Sequence, residues 1–225
     1  FASLLNGLPE KLNAISTEHI ERVVFENVVE ELLEIPGVSG YESVIRNHVM
    51  KKLATLTDEM TVDDYGNILG EVTFGRHSRE PSLTCLRHSH QDVVDEIEVG
   101  REILKCGPVW TSSSGILGAD DRAGIGVILH TLKQLQRMEF RAPVKVKIAF
   151  TVEEEVGLCG AKAVSAEFLE DVQAAFVVDR KGRGDIVTGT RGIDFCDELF
   201  GAMLALIGNL GEEKRWEPTL GGSSD

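Results

Sequence analysis

VKVKIAFTVEEEVG (144–157) decides how this chain folds. Val144–Phe150 reads as a strand that runs straight into Glu153, Glu154 and Glu155, with a helix expected from about Gly160. Two further stretches end in the same way. Ser82–Leu86 reads as a short apolar strand continuing through Arg87 into HSHQD (88–92), and Ala174–Val178 reads as a buried strand ending at Asp179. Helical patterns separate them. Ile20–Leu33 carries Ile20, Val23, Val24, Val28 and Leu32 on one stripe and is ended by IPGVSG (35–40). Tyr41–Leu53 is a second amphipathic helix, and Ala123–Leu135 a third, preceded by GADD (118–121). DDYGN (63–67) reads as a turn before a strand at Ile68–Val72. This βαβαβ rhythm predicts an α/β fold, with a mostly parallel central sheet and helices on both faces. In open sheets of that kind ligand sites form beyond the carboxyl ends of the strands, where HSHQD, TVEEE and VVD all fall.

The chain has 225 residues, so a single catalytic domain over 1–225 is expected. A chain of that length buries roughly 70% of its unfolded surface and needs no disulfide staples. The formal net charge is -14, from 37 acidic and 23 basic residues. A field of that sign disfavours nucleic acid and anionic membranes and tolerates a site that gathers cations, although it also serves plain solubility. Cys85, Cys106, Cys159 and Cys196 form no CxxC pair, which excludes a zinc ribbon or a redox dithiol and fits reduced thiols in the cytoplasm. No apolar run approaches the ~20 residues that span a bilayer, and the first residues lack the pattern of a signal peptide.

Each candidate site residue also has a structural explanation. His90 and Asp92 lie two apart on an extended chain, so Asp92 can hold the second ring nitrogen of a metal-bound imidazole; an HxD pair is also common on surfaces. His88 shares that face and reads as a supporting residue. Asp120 and Asp121 precede a helix, where acids complement the dipole, but a carboxylate at such a turn can also bridge two cations. Three adjacent glutamates at a strand end repel one another, and metal ions relieve that repulsion, leaving one carboxylate free as a general base. Asp179 beside an apolar strand needs Arg180, Lys181 or a metal as partner.

Taken together, SHQD (89–92), LGADDRAG (117–124), FTVEEEVG (150–157), VVDRKG (177–182) and GGSSD (221–225) resemble the co-catalytic metallopeptidase superfamily of peptidase T, carboxypeptidase G and the bacterial leucyl aminopeptidases. The likeness runs from IPGVSGYE (35–42) to GGSSD. It implies His90 and Asp179 as ligands of a first metal, Asp120 as the bridging carboxylate, Glu155 as a ligand of a second metal, Glu154 as general base and Asp92 as the acid that orients His90. It also implies a cis Asp120–Asp121 peptide bond, and a substrate loop at Gly221 and Gly222. The implied cofactor is a pair of zinc ions, with cobalt or manganese as alternatives.

The implied reaction is hydrolysis of a peptide bond by an exopeptidase of the aminopeptidase or di/tripeptidase kind. Two ions ~3.5–4 Å apart polarise the carbonyl and activate water, and Glu154 moves its proton to the leaving amine. An amidohydrolase acting on small N-acyl amino acids uses the same site, and a non-catalytic binding module on the same fold is the further alternative. Two features depart from the family pattern. The stretch 180–220 is too short for the lid domain of the peptidase T relatives. The family's fifth ligand, a histidine beyond the GGSSD-like loop, has no counterpart, since the last histidine is His130. The expectation is therefore a catalytic domain truncated at its C-terminus, holding its first metal better than its second.

Overall fold

The computed structural model describes residues 17–75, 81, 83–137 and 143–179. The chain runs α1 (Thr17–Leu33), α2 (Ser43–Leu53), β1 (Glu59–Val62), β2 (Ile68–Phe74), β3 (Leu83–His90), β4 (Ile103–Cys106), β5 (Val109–Ser112), α3 (Ala119–Arg137), β6 (Val144–Thr151), α4 (Cys159–Ala163), α5 (Ala166–Leu169) and β7 (Ala174–Val177). Five strands form one sheet in the order β1-β2-β6-β3-β7. β3 pairs in parallel with β6 on one side and with β7 on the other, whereas β2 is antiparallel to both β1 and β6. Four strands thus share one direction and β2 opposes them, as the α/β reading requires. β4 and β5 form a separate antiparallel hairpin.

The three long helices, α1, α2 and α3, form because each offers apolar side chains to one core. Leu32 of α1, Ile45, Val49 and Leu53 of α2, and Ile125, Ile128, Leu129 and Leu132 of α3 pack in one core against Ile68, Val72, Val146, Ile148 and Phe150. The opposite face is covered near α5, where the buried Lys147 donates to the Phe168 carbonyl at 2.7 Å and pairs with Asp171. Among the described residues no helix is long and apolar enough to cross a membrane.

Several local expectations need correction. β7 is not a buried strand: Ala174 is buried, but Ala175 and Val177 are exposed, because β3 is its only partner among the described residues. The helix near Gly160 is a single turn, α4, followed by the equally short α5. β1 and the β4–β5 hairpin carry no strong apolar alternation, lie mostly at the surface and were not anticipated. Arg180, Lys181, Cys196, Gly221, Gly222 and the GGSSD stretch lie outside the described residues.

The turn at 63–67 does more than join strands. Asp63 Oδ1 accepts from the amides of Tyr65, Gly66 and Asn67 at 2.9–3.0 Å, which fixes Asn67 at the mouth of β2. The fully buried Asn67 side chain then donates to Gly160 O at 2.9 Å and accepts from Val152 N at 3.1 Å, closing the loop that follows β6. A Cβ on Gly160 would meet Asn67 Oδ1 at 2.5 Å, so only glycine lets the loop close this tightly. Asn67→Ala leaves these backbone groups unpaired in the interior. It should lower stability by at least about 2 kcal/mol, since each buried orphan costs about 1–3 kcal/mol, read as a lower urea midpoint at unchanged slope.

Candidate metal centre

The centre grows from the carboxyl end of β3. His90 Nδ1 faces Asp92, 3.1 Å from its carbonyl oxygen and 3.3 Å from Oδ1, so only Nε2 is left to point outward. Asp92 is fully buried and uses both carboxyl oxygens: Oδ1 accepts from Glu154 N at 3.0 Å, and Oδ2 from Glu155 N at 3.1 Å and Ser39 Oγ at 2.8 Å. Burial opposes its ionisation, but His90, the Glu154 amide, Ser39 and the Glu155 amide outweigh it and hold the carboxyl at about 2. Asp92 therefore orients the imidazole of β3 and the loop after β6 together.

Around His90 Nε2 stand Asp120 Oδ1 at 3.5 Å, Glu154 Oε2 at 3.7 Å and Asp179 Oδ2 at 3.9 Å. These come from the start of α3, the end of β6 and the end of β7. The Asp120–Asp121 peptide bond is cis, and both residues depart from helical geometry. Asp120 faces His90 with its carboxyl 58% exposed, whereas Asp121 is buried and accepts from Gly124 N at 3.0 Å. Burial, against Ser89 and the charge of His90, pushes Asp121 up to about 8.

The three glutamates separate into different surroundings. Glu153 adopts φ 52° and turns its carboxyl to the Tyr65 hydroxyl, which donates at 2.7 Å. Glu154 is buried and Glu155 more open to solvent, and both are raised above the ordinary carboxyl range, first by burial and further by neighbouring acids, with His90 opposing. His88 Nε2 is engaged by Thr151 Oγ1 at 3.0 Å, and burial, with the charge of His90, lowers His88 to about 4.

Two groups of three ligand atoms lie within 4.8 Å of one another: His90 with Asp120 and Asp179, and His90 with Glu154 and Glu155. They compete for the same atom, because Nδ1 is committed to Asp92 and Nε2 has one lone pair to give. The cage itself calls for positive charge. Burial would lower His90, yet Asp120, Asp92 and Asp121 push it up to about 11, so this pocket favours positive charge at the ring. A divalent cation on one imidazole nitrogen and facing carboxylates meets the same demand, and the donor set fits one.

Every described residue expected in the site lies in or beside this cage: His90, Asp92, Asp120, Glu154, Glu155 and Asp179. Sequence reasoning missed the framework behind it. Arg122 is fully buried, donates to Gln91 O and, at 3.4 Å, to Ile35 O, and is lowered to about 10 by burial against the pull of Asp92, Glu42 and Asp121. Its signal was present: it continues the buried stripe of Ile125, Leu129 and Leu132, where a charge is out of place. Ser39, Glu42 and Asn67 gave weaker signals, since polar residues at turns and helix starts are ordinary.

The profile of the M42 glutamyl aminopeptidase family matches residues 87–190, the span that supplies all six cage residues. Peptidase T of Geobacillus kaustophilus (strain HTA426) is 24% identical over 67% of this chain and 44% of its own. The aminopeptidase PepT of Bacillus cereus ATCC 10987 superposes with a TM-score of 0.63 at 25% identity, over 73% of this chain and 45% of that one. A tripeptidase of Staphylococcus aureus subsp. aureus mu50 gives a TM-score of 0.58 at 26% identity, over 70% and 43% of the two chains. The chain spans less than half the length of these relatives. Its strand order, its cage of one histidine and several carboxylates, and these likenesses point the same way: the chain is similar to the metallo-exopeptidases of the peptidase T and M42 kind.

Proposed function

We propose that the protein hydrolyses peptide bonds next to a free terminus of short peptides, as an aminopeptidase or di/tripeptidase. The observation that carries this reading is the arrangement around His90 Nε2, with Asp120, Glu154 and Asp179 at 3.5–3.9 Å, behind which Asp92 holds His90 and the amides of Glu154 and Glu155. His90, Asp120 and Asp179 would hold a first divalent ion, and Asp120 and Glu155 would contribute to a second. Zinc suits one imidazole with carboxylates, cobalt and manganese being the alternatives. When bound, such a pair polarises the scissile carbonyl and makes water acidic enough to attack near neutral pH.

The protein's own residues do the rest. Asp92 keeps the His90 ring in one tautomer, with Nε2 facing the ligands. Glu154 takes the proton of the attacking water at its carboxyl and delivers it to the leaving amine nitrogen. Its burial, which favours the protonated form between those two transfers, suits it to both. We place the protein in the cytoplasm, a reading supported by the free thiols of Cys85, Cys106 and Cys159.

Glu154→Gln should retain metal and lose about 10²–10⁴-fold in kcat on a peptide amide. Glu155→Gln should weaken one metal site instead. Near-normal turnover in Glu154→Gln would remove the proposed base, and turnover of N-acyl amino acids in preference to peptides would move the substrate to the amidohydrolase class. The two sites should also fill unequally. The first has an imidazole and two carboxylates, whereas the second has only Glu155 and Asp120 among the described residues. Metal analysis of the 225-residue chain after dialysis should therefore give about one ion per chain. Two tightly held ions would show that a further residue completes the second site.

A further inference from the structure

Glu42 stands at the N-terminal boundary of α2, yet its side chain does not cap that helix. It is 4% exposed, and its Oε1 accepts from Gly40 N at 2.9 Å and from Glu153 N at 3.0 Å, across the fold. The second bond completes a pattern. Glu153 N rests on Glu42, Glu154 N on Asp92 Oδ1 and Glu155 N on Asp92 Oδ2, so three consecutive amides are each held by a buried carboxyl. A chain turns successive N–H groups to one side only by leaving the extended form. Glu153 makes that departure at φ 52°, a region unusual for a residue other than glycine.

The loop that carries Glu42 is itself anchored to the site. Val93 N donates to Gly37 O at 3.1 Å, Ser39 Oγ reaches Asp92 Oδ2 at 2.8 Å, and Arg122 donates to Ile35 O at 3.4 Å. Glu42 is thus a fixed post to which the bend at Glu153 is tied. The residue after that bend is Glu154, whose Oε2 lies 3.7 Å from His90 Nε2. A proton acceptor displaced by about 1 Å can lose about 10²-fold in rate.

We propose that Glu42 is a positioning residue for Glu154: by holding the Glu153 amide it keeps the turn that delivers the Glu154 carboxyl to the ligand side of His90. This rests on Glu154 being the proton acceptor. Glu42 touches neither substrate nor metal in this role, so its loss should appear in kcat rather than in KM or metal content.

The test compares Glu42→Ala, Glu42→Asp, Glu42→Gln and Glu154→Gln in the full-length, metal-loaded protein. Glu42→Gln keeps an acceptor oxygen at the same reach, whereas Glu42→Asp keeps the charge but is one methylene too short. The expected result is a loss of about 10–100-fold in kcat for Ala and Asp, with KM and metal stoichiometry unchanged and most of the rate recovered in Gln. Amide hydrogen exchange over 152–158 should quicken in Ala and Asp and stay slow in Gln, a readout that needs no activity. If Glu42→Ala fails to fold, the contrast between Asp and Gln decides. An inactive Glu154→Gln beside Glu42→Asp at parental kcat and exchange overturns the role of Glu42. An active Glu154→Gln overturns the reading of Glu154 itself, whatever Glu42 does.

Discussion

A buried carboxyl with both oxygens committed holds the site together. Asp92 fixes the His90 ring of β3 and receives the amides of Glu154 and Glu155 from the loop after β6 and the hydroxyl of Ser39 from the loop before α2. Three segments distant in sequence thus converge on one side chain inside the protein. An ionised group stays ionised there only because its partners outweigh the cost of burial, so none of them is free to drift. The orientation of the imidazole and the course of the glutamate loop are one constraint.

The sheet supplies the rest of the convergence. β6, β3 and β7 lie side by side and parallel, so their carboxyl ends fall on one rim of the molecule. The register is tight: His90 lies opposite Thr151, and Val178 N continues the ladder beyond β7 to His88 O. Asp179 follows at once, and α3 packs against β3, bringing Asp120 to the same rim. Like charges gathered this way repel, and the structure answers with spacing. Asp121 turns inward, Glu153 turns to Tyr65, and Asp120, Glu154 and Asp179 face the one imidazole nitrogen.

The α/β class and the strands that bear the site were legible from the sequence, and the family resemblance named the six residues that the structure gathers in or beside the cage. Apolar runs ending abruptly in acids are uncommon enough to be informative when three occur together. The exposure of β7 was not legible, because AAFVV looks the same at the edge of a sheet as inside it. β1 and the hairpin were missed because half-exposed strands of four residues leave hardly any periodic trace. The supporting polar residues were hidden for another reason. Glu42 at a helix start and Asn67 in a turn are what local rules call for anyway, and only the folded chain reveals that each reaches across to the loop after β6.

The central position of β3 has a kinetic side. Its two neighbours in the sheet, β6 and β7, both come later in the chain, and the helix that covers it, α3, lies between. No short piece therefore contains the cage: an emerging chain carries His90 long before Glu154 and Asp179 exist to face it. Contacts of such long sequence separation form late and slowly, since loop closure must precede any gain. Until then the acids remain apart in water, where their repulsion is weak. They crowd together only once these segments have met, so a cation bound among them would act on the stability of the whole sheet rather than on any part of it.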